Sequence, residues 1–186
     1  ILGAQTINPD FKLKVVWVNS WFDPGKEADA AKVLIGQGAD ILTQHTDSTA
    51  AMQIANEKGV YAFGQASDMI KFGPKAQLTA IINNWAPYYI ERTKAVLNGN
   101  WKSVASWKGL TAGTVKMAAY TNMPEDVAKM AADTEAKITN GTLHPFAGPI
   151  YKQDGTLAVP AGKNIDDGPL LGMNWYVKGV DGQLPK

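Results

Sequence analysis

Short apolar runs alternate with segments of helical apolar spacing along the first part of the chain. Three runs, residues 14–18, 40–44 and 60–64, are rich in aliphatic and β-branched side chains and predict strands. The two segments between them, residues 23–36 and 46–59, repeat small apolar residues at helical spacing and end in glycine. Strands separated by single helices predict a βαβαβ unit, and therefore an α/β fold with a parallel sheet flanked by helices.

The pattern then continues with two more strands and two more helices. A fourth strand is predicted at residues 78–82, a helix at 87–98, a fifth strand at 114–120 and a helix at 124–140. Both helices carry an apolar stripe on one face. Near the end of the chain, an Asp-Gly pair between two short apolar runs, within residues 150–159, predicts a β-hairpin.

Composition narrows the class of protein. Of the 186 residues, 45% are hydrophobic and 19% are charged, which is typical of a folded globular chain. The net charge of +1 leaves no basic excess for a phosphate backbone, so nucleic-acid binding is not favoured. The absence of cysteine excludes disulfides and thiolate chemistry. Residues 1–7 resemble the last turns of a helix, so we expect a fragment of a longer protein.

Polar and aromatic side chains follow the predicted strands, where parallel sheets bind their ligands. Tryptophan faces stack on flat rings, while carboxylates and amides offer acceptors and donors to ring edges. This combination favours a small planar polar ligand. Thr121 and Asn122 follow the fifth strand and extend the same pattern. The candidate residues are Trp21, His45, Thr46, Asp47, Gln65, Ser67, Asp68, Asn84 and Trp85.

Several candidates have an ordinary structural interpretation. Asp47 is placed to cap a helix, Asp68 to form a turn, and the two tryptophans to pack in a core. His45 is open to the same interpretation. The sequence supports an enzyme less well than a binding protein, because it contains no nucleophile elbow and no phosphate-binding glycine loop. Two histidines without cysteine do not favour a transition-metal site, and we expect no cofactor.

Three segments carry a resemblance to a known family. Residues 16–26, 37–41 and 58–68 resemble the basic membrane protein family, the purine-nucleoside-receptor-like substrate-binding proteins of ABC importers. The resemblance implies a type I periplasmic-binding-protein fold, with two lobes joined by a hinge and the N-terminal lobe largely missing from this chain. It assigns residues 1–72 to the first part of the C-terminal lobe and residues 73–110 to a strand and helix of the N-terminal lobe. Residues 111–186 are then the remainder of the C-terminal lobe and a tail.

The resemblance also implies a ligand and a place for it. Trp21 corresponds to the stacking aromatic residue, and Asn84 and Trp85 to the end of a hinge-crossing strand. The family motif Asp-Ser-Asp after the third strand appears here as Ala66, Ser67 and Asp68. The first acid resembles a partner of the ribose hydroxyls in nucleoside binders, so its replacement is compatible with a free base.

The resulting expectation is a non-enzymatic, monomeric receptor for an adenine-like purine base. It would deliver the base to an ABC permease in the inner membrane, from the periplasm or as a cell-surface lipoprotein. Three alternatives remain open: a nucleoside receptor, a ligand-sensing module of a regulator, and a nucleoside-processing enzyme using His45 and Asp47.

Overall fold

The computed structural model describes residues 1–185, which form two compact units. One unit contains residues 1–18 and the described residues from Gly141 onward, and the other contains residues 19–140. In chain order the elements are α1 (Leu2–Ile7), β1 (Leu13–Lys14), α2 (Pro24–Gly36), β2 (Ile41–Thr43), α3 (Ala50–Lys58), β3 (Tyr61–Ala66), β4 (Gln77–Asn83), α4 (Ala86–Leu97), a short 3₁₀ helix (Leu110–Ala112), β5 (Val115–Met117), α5 (Glu125–Thr139), β6 (Ile150–Tyr151), β7 (Leu157–Val159), α6 (Asp167–Leu171) and β8 (Val180–Asp181).

The larger unit is built on a four-stranded sheet with the order β2-β3-β4-β5. The first three strands are parallel, as predicted, and β5 runs antiparallel to β4. Because β5 is reversed, the residues after it lie at the opposite edge from the ends of the parallel strands. The inclusion of Thr121 and Asn122 in the strand-end pattern was therefore wrong. Their side chains donate hydrogen bonds to the backbone carbonyl of Gln77, at the start of β4.

The first predicted strand is shorter than expected and joins another sheet. Only Leu13–Lys14 is a strand, and it pairs in parallel with β8 in the smaller unit. The N–H of Val15 also donates to the carbonyl of Asp181, at 3.1 Å, which extends this pairing by one hydrogen bond. The predicted βαβαβ unit is therefore reduced to β2, α3 and β3, with α2 ahead of them and β4 added beside β3.

Local signals set the ends of α2 and α3 as the sequence indicates. Asp23 caps α2 by accepting a hydrogen bond from the N–H of Lys26 at 3.0 Å, and Pro24 is the first helical residue. Gly59 ends α3 with φ of +72°, a conformation that favours glycine. The predicted hairpin is also confirmed, since β6 pairs antiparallel with β7 in the smaller unit.

The hydrophobic core of the larger unit lies between α2, α3 and the sheet. The helices α4 and α5 contribute no buried residue to it, although each carries an apolar stripe. Ile90 on α4 and Met130 on α5 are 56% and 54% exposed. The buried members of the core are Ala31, Leu42, Met52, Ile54, Ala55, Ala62, Met69 and Ala76.

The sheet pairing bears on how the chain is divided. β4 lies beside β3 in the same sheet, and the unit that holds both runs from residue 19 to 140 without a break at residue 73. The assignment of residues 1–72, 73–110 and 111–186 to particular lobes stays a prediction.

Candidate ligand-binding site

The three parallel strands end at one edge of the sheet, and most of the candidate residues follow them there. Trp21 instead lies in the loop before α2, and Gln65 is still within β3. Thr43 at the end of β2 pairs with Phe63, and Ala66 at the end of β3 pairs with Ile82 of β4. All nine candidates belong to the larger unit. The strand register therefore places the loops after β2, β3 and β4 next to one another in this order.

Trp21, His45 and Gln65 form a connected group at this edge. The Trp21 ring is 67% exposed and meets the ring of His45 edge to face, with 5.6 Å between the ring centroids. The Gln65 side-chain nitrogen lies 2.6 Å from Nδ1 of His45. With the amide as the donor, Nδ1 accepts and the imidazole carries its proton on Nε2. Trp21 thus keeps most of its surface free, while His45 is held by its two neighbours.

The loop after β2 is held by a buried carboxylate that is not among the candidates predicted from the sequence. Glu27 of α2 is 3% exposed, and its Oε2 accepts hydrogen bonds from the hydroxyls of Thr46 and Ser48 at 2.7 and 2.6 Å. Its Oε1 accepts the N–H of Asp23 at 3.0 Å. Gln44 adds two bonds from its side-chain amide to the carbonyls of Thr46 and Ser48. Thr46 therefore faces inward and shapes the loop.

The environment of Glu27 favours its ionised form. Burial by itself raises the pKa of the side chain, but the hydrogen bonds donated by Ser48, Thr46 and Asp23 outweigh it and hold the pKa below its ordinary value. A signal for this role was present in the sequence, since Glu27 precedes Ala31 by one helical turn on the apolar face of α2.

Asp47 is exposed at the tip of the same loop, and its carboxylate has no hydrogen-bond partner among residues 1–185. Its backbone N–H donates to the carbonyl of Trp21 at 2.8 Å, which ties this loop to the one before α2. Asp47 does not cap α3, whose N-cap residue is Thr49 and which has no side-chain capping bond. The hydroxyl of Ser48 accepts the N–H of Ala50 at the start of the helix. The Asp47 carboxylate is therefore free to contact a ligand.

The loop after β3 turns sharply and presents a second carboxylate. Ala66 has φ of +60°, and the N–H of Ser67 donates to the carbonyl of Gln65 at 2.7 Å, which defines a tight γ-turn. Non-glycine residues in such conformations are strained and cluster at ligand sites. Asp68 follows the turn and is exposed. Its Oδ1 accepts the N–H of Ile70 at 3.0 Å and the side-chain amide of Gln77 at 2.8 Å.

Asn84 and Trp85 lie beyond the end of β4. The side-chain nitrogen of Asn84 donates to the carbonyl of Gly113 at 2.8 Å, so this amide is partly committed to the fold. Trp85 is 51% exposed and stacks on Tyr89, with 6.0 Å between the ring centroids. An aromatic surface therefore stands at the start of α4.

Neither a metal centre nor a membrane-spanning helix is found in the described part of the chain. Residues 1–185 contain no group of three or more side chains suited to hold a metal ion. Within the same range, no helix combines the length and the apolar character that a membrane crossing requires.

The fold of this chain is shared with solved structures of other α/β proteins. A solute-binding protein of an ABC transporter system from Conexibacter woesei matches with a TM-score of 0.59 at 18% identity, over 76% of this chain and 49% of that one. A transcriptional activator of the comK gene from Bacillus halodurans also matches with a TM-score of 0.59, at 17% identity, over 69% of this chain and 47% of its own. At these identities the likeness shows the fold alone.

The chain belongs to the family of PnrA-like ABC transporter substrate-binding proteins, which it matches over residues 1–144. It is 64% identical over 186 residues to a protein of Brucella abortus named as purine-binding, covering all of this chain and 53% of that protein. It is 32% identical over 185 residues to a putative ABC transporter glucose-binding protein of Haloferax volcanii, covering 99% of this chain and 45% of that protein. The chain thus spans about half the length of these curated relatives.

Proposed function

We propose that this chain is the ligand-binding part of a substrate-binding protein that delivers an adenine-like purine base to an ABC permease. The observation that carries the proposal is the edge formed by Trp21, Asp47 and Asp68. It combines an exposed indole face with two carboxylates that have oxygens free to accept hydrogen bonds. A flat ring with amino and ring N–H donors on its rim complements such a set.

The 64% identity to a relative named as purine-binding supports the same ligand class. The other curated relative is named as glucose-binding at 32% identity, so family membership alone does not choose the ligand. Indole faces also pack against sugars. Carboxylates and amides also form hydrogen bonds with sugar hydroxyls, so the preference for a purine rests on the higher identity to the relative named as purine-binding.

The residue at position 66 favours a base over a nucleoside. Where the family motif has a carboxylate, Ala66 offers only a methyl group, which accepts no hydrogen bond from a ribose hydroxyl. The loss of one charge-assisted hydrogen bond costs a ligand about 1.5 to 3 kcal/mol. A nucleoside thus gains little from its sugar at this position, and we assign the free base as the preferred ligand.

Transport is the preferred role over regulation and catalysis. The fold is shared with a transcriptional activator and therefore does not decide between transport and sensing. The family match is to substrate-binding proteins, which supports a permease as the partner and an extracytoplasmic location. His45 and Asp47 belong to a loop held by Glu27, and neither contacts a side chain placed to act as a nucleophile among the described residues.

Calorimetric titration of the intact protein tests the ligand. The titrants are adenine, guanine, adenosine, guanosine and glucose, each added to the same protein preparation. We expect adenine to bind more tightly than its nucleoside and glucose to give no heat of binding. Saturable heat with glucose and none with any purine would overturn the proposal.

A further inference from the structure

We propose that Gln77 is a positioning residue for the ligand-binding carboxylate of Asp68; this inference rests on the proposed function. Gln77 begins β4 and is 1% exposed, so it does not contact the ligand itself. Its side-chain nitrogen donates to Oδ1 of Asp68 at 2.8 Å, and its side-chain oxygen accepts the N–H of Met69 at 2.9 Å. The amide thereby holds the loop after β3 through hydrogen bonds to two successive residues.

The two hydrogen bonds define the orientation of the Gln77 amide. The N–H of Met69 requires an acceptor, which the side-chain oxygen of Gln77 supplies, so the nitrogen must face Asp68. A reversed amide would oppose donor to donor and acceptor to acceptor. The hydrogen bonds from Thr121 and Asn122, at 2.6 and 2.8 Å, reach the backbone carbonyl of Gln77 and do not involve its side-chain amide.

The hydrogen bond from the Gln77 amide helps to determine which oxygen of Asp68 is available to a ligand. Oδ1 accepts two hydrogen bonds, from Gln77 and from the N–H of Ile70, while Oδ2 has no partner within residues 1–185. Two fixed donors on one oxygen orient the plane of the carboxylate. Oδ2 is therefore presented as a pre-oriented acceptor, which selects ligands that carry a donor at this point.

Gly64 makes room for the buried amide. A Cβ at position 64 would lie 2.6 Å from the Cβ of Ala80, 3.0 Å from the side-chain oxygen of Gln77 and 3.2 Å from the carbonyl of Ser67. The absence of a side chain on β3 thus lets the Gln77 amide reach under the turn to Asp68.

Substitution of Gln77 tests the inference in the intact protein, with adenine as the probe in calorimetric titrations. Gln77→Glu keeps the acceptor for Met69 but places a carboxylate oxygen against Oδ1 of Asp68. Gln77→Met removes both the donor and the acceptor of the side-chain amide without adding charge, and it serves where the first variant folds poorly. We expect either variant to raise the dissociation constant for adenine about tenfold or more.

Thr121→Val is the matched structural control. It removes the hydrogen bond from the Thr121 hydroxyl to the backbone carbonyl of Gln77 and leaves the side-chain amide in place. We expect its melting temperature to fall while its affinity for adenine stays within about twofold of the wild type. Equal losses of affinity in Thr121→Val and in the Gln77 variants would reduce Gln77 to a purely structural role.

A double-mutant cycle with Asp68→Asn separates positioning from general damage. The amide introduced by Asp68→Asn still accepts both hydrogen bonds through its oxygen, but it turns a nitrogen outward, so adenine binding falls about tenfold. In that background Gln77→Met should weaken binding little further, because the carboxylate that it positions is gone. Additive losses would overturn the inference.

The outcomes for the wild type separate the inference from the proposed function. A wild type that binds no purine would refute the proposed function and the inference together. Wild-type binding that the Gln77 variants leave unchanged would refute the inference alone.

Discussion

At the scale of single residues, two buried polar side chains, Glu27 and Gln77, hold the loops that carry the exposed candidate residues. Asp47 and Asp68 follow β2 and β3 as predicted and are exposed there. Trp21 does not follow a strand of this sheet, because the predicted first strand ends early and pairs with β8, but it reaches the same place through its contact with the His45 ring. Thr46 also lies there, yet its hydroxyl is bonded to Glu27. The roles of Glu27 and Gln77 were not predicted. The position of Glu27 on the apolar face of α2 indicated its burial, but a linear pattern does not show the hydrogen-bond partners of either residue.

Removal of the Trp21 ring should weaken ligand binding strongly. The exposed indole is the proposed stacking surface, and base–aromatic stacking contributes about 1 to 3 kcal/mol per base. Trp21→Ala should therefore raise the dissociation constant for adenine about tenfold or more in calorimetric titrations of the intact protein.

Trp101→Ala provides the matched control for Trp21→Ala. Trp101 is 51% exposed and follows the end of α4, a helix of 12 residues that starts at the site. Such a helix is about 18 Å long, so Trp101 stands well away from the helix start. Its removal should change adenine affinity by about twofold at most. Similar losses in both variants would contradict the stacking role of Trp21.

The buried carboxylate of Glu27 should stabilise the fold in a pH-dependent way. Its folded-state pKa lies below the ordinary value of 4.5, so the stabilisation is present above that value and is lost as the pH falls through the folded pKa. Glu27→Gln should lower the free energy of unfolding by about 1 to 3 kcal/mol at neutral pH. Urea unfolding across the acid range should show the stabilities of the two proteins converging as the pH falls below 4.5 and through the folded-state pKa of Glu27.

Glu91→Gln is the control for this measurement, because the Glu91 side chain is 60% exposed. It should change stability by no more than about 0.5 kcal/mol. If the difference in free energy of unfolding between the wild type and Glu27→Gln stays constant down to the lowest pH measured, it would contradict an ionised, hydrogen-bonded Glu27.

At the scale of elements, apolar spacing and cap residues predicted α2, α3, β2 and β3 closely. The first strand was overestimated, since the run at 14–18 is apolar enough for a strand but finds a partner only at β8. The antiparallel direction of β5 could not be predicted from apolar spacing either. A strand has the same apolar pattern whichever way it runs, and its direction depends on the loop and helix before it.

Two glycine substitutions should have opposite effects on stability. Gly64→Ala forces a Cβ against Ala80 and the backbone of Ser67, and it should destabilise the fold by about 1 to 3 kcal/mol. Gly36 ends α2, and nothing lies within 4 Å of the Cβ that an alanine would add there, so Gly36→Ala should stabilise by about 0.5 to 1 kcal/mol. Chemical unfolding of both variants and of the wild type measures the change in free energy of unfolding that each substitution causes. Equal shifts of the same sign would contradict the close approach of β3 and β4 at Gly64.

At the scale of the molecule, the α/β class and the family were predicted correctly, and the division into lobes remains a prediction. The apolar stripe of α4 shows why the division into lobes stays a prediction. Val96 and Leu97 are 60% and 79% exposed, so the part of the chain that the structure describes leaves them largely uncovered. The sequence shows an apolar face but does not show which surface packs on it.

Hydrogen exchange should reflect this exposure. A helix of 12 residues without buried side chains is marginal on its own, so amides of α4 should exchange on the order of tenfold faster than those of β4 in this chain. Mass spectrometry of peptides from the two elements gives the comparison. If α4 belongs to a second lobe, its protection should rise in the intact protein, and equal exchange in both proteins would contradict that assignment.

The central claim is that the strand-end edge of the larger unit holds a purine base. A crystal structure of the intact protein with adenine tests this claim most directly. We expect the purine ring to stack on Trp21, with Oδ2 of Asp68 accepting a hydrogen bond from a donor on the ring edge. Adenine bound elsewhere, with Trp21 and Asp68 still exposed to solvent, would contradict the claim.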